Sequence, residues 1–108
     1  MTDFVDFSSP VEPGEFNLGG QGVTLVAAGP TRTQLRASQK VKQVSVKARK
    51  ANVGTVYLGT VTVTADETPG TGGYQLSPGD MHTFPVLDIG TVYVVGAAGD
   101  GVSYLFWV

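Results

Sequence analysis

The sequence predicts an all-β fold: a single-domain antiparallel β-sandwich (or small barrel) of about eight or nine short strands with an extended N-terminal arm. Three observations predict it. The chain has 108 residues and no cysteine, enough for one domain with its own core but no disulfide staples. Fifteen Gly and six Pro interrupt a Val- and Thr-rich text, the composition of short strands joined by tight turns. Residues Gln43 to Arg49 alternate strictly, with Val44, Val46 and Ala48 on one face and Gln43, Ser45, Lys47 and Arg49 on the other, the period of a half-buried strand.

The arm comes first. Residues 1–21 carry Pro10, Pro13-Gly14 and Gly19-Gly20, which forbid a regular helix. Yet they hold Phe4, Phe7 and Phe16, three of the five Phe in the chain. Disordered tails are poor in large apolar side chains, so the arm is expected to pack, on its own domain or on a neighbouring protein.

Residues 22–108 form the β domain. Val23 to Ala27 reads as a strand closed by Gly29-Pro30, and Thr33 to Arg36 as a weaker one. After the strand at 43–49, Thr55 to Leu58 and Val61 to Ala65 flank Gly59-Thr60 and read as a hairpin. A loop from Thr68 to Gly73 leads to a short strand, Tyr74 to Leu76. Ser77-Pro78-Gly79-Asp80 has the Pro and Gly placement of a type II turn. Met81 to Val86, Thr91 to Val95 and Val102 to Val108 complete the set, the last two joined through the turn dipeptide Asp100-Gly101. The final strand is apolar on both faces, so it is central or covered. Gly54-Thr55-Val56-Tyr57-Leu58-Gly59 is echoed by Gly90-Thr91-Val92-Tyr93-Val94-Val95-Gly96, either two matching hairpins in two sheets or two strands drawn from one alphabet.

Charge is strongly segregated. All seven basic residues lie between Arg32 and Lys50, with four acids before that window and five after it. Asp3, Asp6, Glu12 and Glu15 make the arm purely acidic. Lys40, Lys42, Lys47, Arg49 and Lys50 form a basic surface, either simply solvated or facing an acidic neighbour. The window contains no aromatic residue, unlike the stacking platforms of nucleic-acid binders, so no nucleic-acid partner is expected. No apolar run reaches the roughly 20 residues of a membrane helix, and the acidic start lacks the basic region of a signal peptide. The chain therefore reads as made in the cytoplasm with no membrane partner.

Catalytic patterns are weak. His82 is the one histidine, on a strand where it reads as a packed or surface residue. Ser77 or Ser103 with His82 and Asp88 makes a nucleophilic triad only on paper. Asp66, Glu67, Asp80, Asp88 and Asp100 fall mostly in loops as turn formers. Gly70 to Gly73 lacks the Lys-Ser/Thr of a phosphate loop, and no full calcium spacing is present. No enzyme activity, metal or cofactor is expected. Tyr57, Tyr74, Tyr93, Tyr104 and Trp107 sit where core aromatics belong; if exposed, they would suit stacking on sugar rings.

Residues 41–108 also carry an ordered set of short motifs. Val44-Ser45-Val46-Lys47-Ala48 leads through Asn52 to Gly54-Thr55-Val56-Tyr57-Leu58-Gly59. Leu76-Ser77-Pro78-Gly79-Asp80, Asp88-Ile89-Gly90-Thr91-Val92-Tyr93-Val94 and Gly99-Asp100-Gly101-Val102-Ser103-Tyr104 follow. In order and spacing this resembles small virion proteins of tailed bacteriophages. The resemblance implies a structural virion protein, a minor capsid or decoration protein on the capsid surface. It would bind the major capsid protein, as a homotrimer, and clamp the lattice. Phe4, Phe7 and Phe16 are then expected as apolar anchors and the arm acids as steering charges, with the basic surface meeting an acidic neighbour. The same scaffold also resembles domains of tail and head fibres that bind host glycans, the alternative expectation.

Overall fold

The computed structural model describes residues 17–27 and 31–108. Its strands are β1 (Leu18–Leu25), β2 (Thr33–Gln34), β3 (Gln43–Ala48), β4 (Val56–Gly59), β5 (Tyr74–Leu76), β6 (Met81–Pro85), β7 (Tyr93–Val95) and β8 (Gly101–Trp107). A single turn of 3-10 helix, Ile89–Thr91, precedes β7. The strands form two four-stranded sheets, in the orders β1-β8-β3-β6 and β2-β7-β4-β5, with every pair antiparallel. The protein is a small β-sandwich.

The alternation read from β3 decides the layering. Val44, Val46 and Ala48 are in register with Phe106, Tyr104 and Val102 of β8, and all six are buried. They pack against Val56 and Leu58 of β4, Val94 of β7, Leu76 of β5, and Leu35 and Ile89. Apolar residues on both faces of β8 fit its central place between β1 and β3.

At β1 the inner face is made of glycine. Phe106 and Tyr104 lie flat over Gly20 and Gly22, in register with them. A Cβ on Gly22 would stand 2.5 Å from the Tyr104 hydroxyl oxygen. Arg36 closes this end, its guanidinium 5.0 Å from the centre of the Phe106 ring and Nη1 donating to the Tyr104 hydroxyl at 3.1 Å.

Several expected elements differ. β1 starts at Leu18, four residues inside the segment read as arm, because Gly19 is absorbed as a bulge between the pairs Leu18/Trp107 and Gly20/Phe106. The expected strand at 61–65 is a flap. Val63 N–H bonds to Thr60 carbonyl at 3.0 Å, turning the chain back over the outer face of the second sheet. There Val63 is buried against Gly59 and Gly73, sites where a Cβ would meet it under 3.0 Å. Both edges of β4 are taken by β5 and β7, so no hairpin partner is needed. The two Thr-Val-Tyr segments are neighbours in one sheet, Leu58 opposite Val94, rather than matching places in two. Thr91 belongs to the 3-10 turn. The turn before β8 runs from Ala97 to Asp100, with Gly99 at φ 88° and Asp100 N–H bonded to Ala97 carbonyl at 3.1 Å. Asp100 thus closes the turn and Gly101 opens the strand. The type II turn at Ser77–Asp80 is as expected, with Gly79 at φ 90° and Asp80 N–H bonded to Ser77 carbonyl at 2.8 Å.

Candidate functional site

The recurring motifs form internal clamps. Asn52 is buried; its Nδ2 donates to the Gly101 carbonyl at 2.9 Å and its Oδ1 accepts from Gly101 N–H at 2.8 Å. Next to it, the buried Asp100 carboxylate accepts from Val53 N–H at 2.8 Å and Gly54 N–H at 2.9 Å. Together they lock the loop after β3 to the entry of β8. Asp88 plays the same part before β7. Its carboxylate accepts from the Ser38 hydroxyl at 2.6 Å, Gln39 N–H at 3.1 Å and Gly90 N–H at 2.7 Å. Those bonds, Ser38 first, hold its pKa below the ordinary 3.8. Gly90 is required because a Cβ would meet the Ser38 backbone at 2.7 Å. The motif residues that carry the resemblance therefore build the scaffold.

The candidate catalytic residues are not brought together. His82 lies on the inner face, in register with Val46, whereas Ser103 lies on the outer face, in register with Lys47. Asp88 is engaged in its clamp, and the Ser77 N–H donates to the Asp80 carboxylate at 3.0 Å. Asp66 accepts from the Thr64 hydroxyl and Thr68 N–H, which lower its pKa and close the flap. Among the described residues no three His, Asp or Glu side chains are placed to hold a metal ion.

Two surfaces have binding character. The first is a cleft of about 310 Å³ where the edges of β5 and β6 meet, lined by Leu58, Thr60, Tyr74, His82, Phe84 and Thr91 among others. Tyr74 reaches across from the second sheet and stacks on His82 with ring centres 4.4 Å apart, and His82 on Phe84 at 5.5 Å. His82 is thus a packed residue within a ladder of three rings.

The second is the outer face of the first sheet. Its register places Leu18, Trp107, Gln43 and Pro85 in one row, Gln21, Leu105, Ser45 and Thr83 in the next, then Val23, Ser103, Lys47 and Met81. Leu18, Val23, Leu25 and Met81 are each more than half exposed. A shallow depression of about 180 Å³ lies between Lys47, Met81, Ser103 and Leu105. Half of these twelve side chains are apolar, more than a solvated outer sheet face ordinarily carries.

The basic window divides. Arg32 and Arg36 are engaged within the domain, the exposed Arg32 donating from Nε to the Val63 carbonyl of the flap at 2.6 Å and Arg36 capping Phe106. Lys40 and Lys42 sit before β3, while Lys47, Arg49 and Lys50 sit at its end, roughly 20 Å along the strand. They make two basic groups rather than one surface. Phe4, Phe7, Phe16, Asp3, Asp6, Glu12 and Glu15 lie outside the described residues. Of the five aromatics expected in the core, only Tyr104 is buried; Tyr57, Tyr93 and Trp107 are half-buried and Tyr74 is exposed. The β-strand period places His82 and Phe84 on one face of β6. Their pairing with Tyr74 depends on how the two sheets meet, for which the sequence carries no local signal.

Fold and surfaces together define a small all-β sandwich with a partly apolar outer sheet face and an aromatic cleft. No family model, curated protein or solved structure matches the chain.

Proposed function

We propose that this chain is a structural subunit of a tailed-phage particle, a minor capsid or decoration protein that binds the major capsid protein as a homotrimer and stabilises the lattice. The observation that carries the reading is the set of large apolar side chains exposed on the outer face of the first sheet, Leu18, Val23, Leu25 and Met81, with Lys47 among them. Such a face needs a protein partner more than a small ligand. The order of motifs from Val44 to Tyr104 supports it, since they encode a clamped scaffold and leave the surfaces free to specialise. Binding to an assembled lattice stabilises that lattice by mass action. Immunogold microscopy of intact virions, with antibody to this protein, tests the reading. Label over the heads is expected, and unlabelled particles would discard it.

The ladder of Tyr74, His82 and Phe84 favours a second reading, a carbohydrate-binding tail or fibre module. Label confined to the tail, with glycan-array binding abolished by Tyr74→Ala, would replace the first reading with this one.

A further inference from the structure

We infer that β1 is a pairing edge and that its occupant is β1 of a second copy of this chain. The strand is one of the two edges of its sheet and, at eight residues, the longest among the described residues. Its ladder phase is set at both ends. Asn17 and Val108 exchange both backbone hydrogen bonds at 3.0 and 2.6 Å, and Val26 N–H bonds to the Asp100 carbonyl at 2.8 Å. Antiparallel ladders alternate, so with the bulge at Gly19 counted, Gly20, Gly22 and Thr24 turn their backbone groups toward β8. Gln21, Val23 and Leu25 turn theirs toward the open edge, and none has a hydrogen-bond partner among the described residues.

Natural edge strands are guarded by charges, proline, shortness or bulges along the exposed length. Leu18–Leu25 reads Leu-Gly-Gly-Gln-Gly-Val-Thr-Leu, without a charge or a proline, and its bulge lies at the start. Two copies laid antiparallel therefore meet no like-charge repulsion. One register uses all the free groups of these three residues: Val23 opposite Val23 of the second copy, and Gln21 opposite Leu25 of the second copy. That register makes about six backbone hydrogen bonds across a twofold axis at Val23. It keeps Val23 and Leu25 on the outer face, so the two apolar faces join into one sheet of eight strands. A second copy is thus the partner whose backbone and side chains both match.

This contact is independent of the trimer proposed above. It gives two copies alone and six with the trimer, whereas the trimer alone gives three. Sedimentation of the full chain at tens of micromolar is the first test, and an even number of copies is expected. Val23 is 61% exposed, so Val23→Lys should keep the circular dichroism spectrum while halving the mass, by setting two ammonium groups on the axis. The chain has no cysteine, which makes Val23→Cys a clean probe. Residues in a hydrogen-bonded pair stand about 5.5 Å apart at Cα, within disulfide range. Mild oxidation should link Val23→Cys into a covalent dimer and leave the comparably exposed Val61→Cys unlinked. A wild-type monomer or trimer, an intact oligomer in Val23→Lys, or equal cross-linking of the two cysteine variants would each overturn the inference.

Discussion

Replacing Asn52 by Ala tests the clamp that joins the two halves of the motif series. The change removes both hydrogen bonds to Gly101, at 2.9 and 2.8 Å, from a buried site. The two losses are unequal. The Gly101 carbonyl keeps a second donor, Arg49 N–H at 3.1 Å, so the Nδ2 bond costs only its net worth of about 1 kcal/mol. Gly101 N–H has no substitute, and an unsatisfied buried donor costs about 1–3 kcal/mol. The expected loss is therefore about 2–3 kcal/mol, a large share of the roughly 5–15 kcal/mol that holds a domain together. In a domain of this size that lowers Tm by roughly 10–20 °C. Thermal and urea unfolding followed by circular dichroism would measure it. Val53→Ala, next in the chain and almost wholly exposed, should stay within about 0.5 kcal/mol of wild type. Asn52→Asp keeps an acceptor for Gly101 N–H but sets a second carboxylate beside Asp100, so it should lose at least as much as Ala. A fall in Tm of under about 3 °C for Asn52→Ala would refute the reasoning.

Three further outcomes are expected. Gly22→Ala should destabilise by about 1–3 kcal/mol because its Cβ would meet the Tyr104 hydroxyl, itself held by Arg36, while Gly54→Ala, with its nearest neighbour at 3.8 Å, serves as the mild control in the same melts. An NMR titration should place the Asp88 midpoint below 3.8; its contribution to stability is present above that pH and is lost as pH falls through the lower folded value, and Ser38→Ala should raise the midpoint. An unchanged midpoint in Ser38→Ala would remove the hydroxyl as the main cause. Deleting residues 1–16 should weaken attachment to the particle and leave the β spectrum intact, and equal attachment would take the arm out of the contact surface.

Much of the fold is legible because strand alternation is a local signal. The side chains of β3 fix their own faces, and the buried row Val44, Val46, Ala48 then dictates which face of β8 meets it. The Pro-Gly turn at 78–79 is equally local, since only the positive φ of Gly79 satisfies it. What fails to show is pairing. Val61 to Ala65 has the composition of a strand, but β4 already has two partners, and Gly59 and Gly73 leave a hollow that Val63 fills. The site is less legible still. Outward placement of Leu105 and Trp107 follows from alternation in β8, yet their continuity with Leu18, Val23 and Met81 requires the order β1-β8-β3-β6. The engagement of Arg32 and Arg36 within the domain is hidden for the same reason, because their partners Val63, Tyr104 and Phe106 are far away in sequence.

The strand order has a kinetic consequence. β1 must wait for β8, some 80 residues later, and β3 for both β6 and β8; among the described strands, only β4 and β5 are consecutive and pair, across a long flap. With no tight hairpin among the described residues, these strands lack a local nucleus, and each ladder must first close a large loop. Refolding from denaturant should accordingly take milliseconds to seconds rather than microseconds. Throughout that interval the uncharged Leu18–Leu25 stays unsealed on both sides, so the recovered yield should fall as the protein concentration in the refolding mixture is raised.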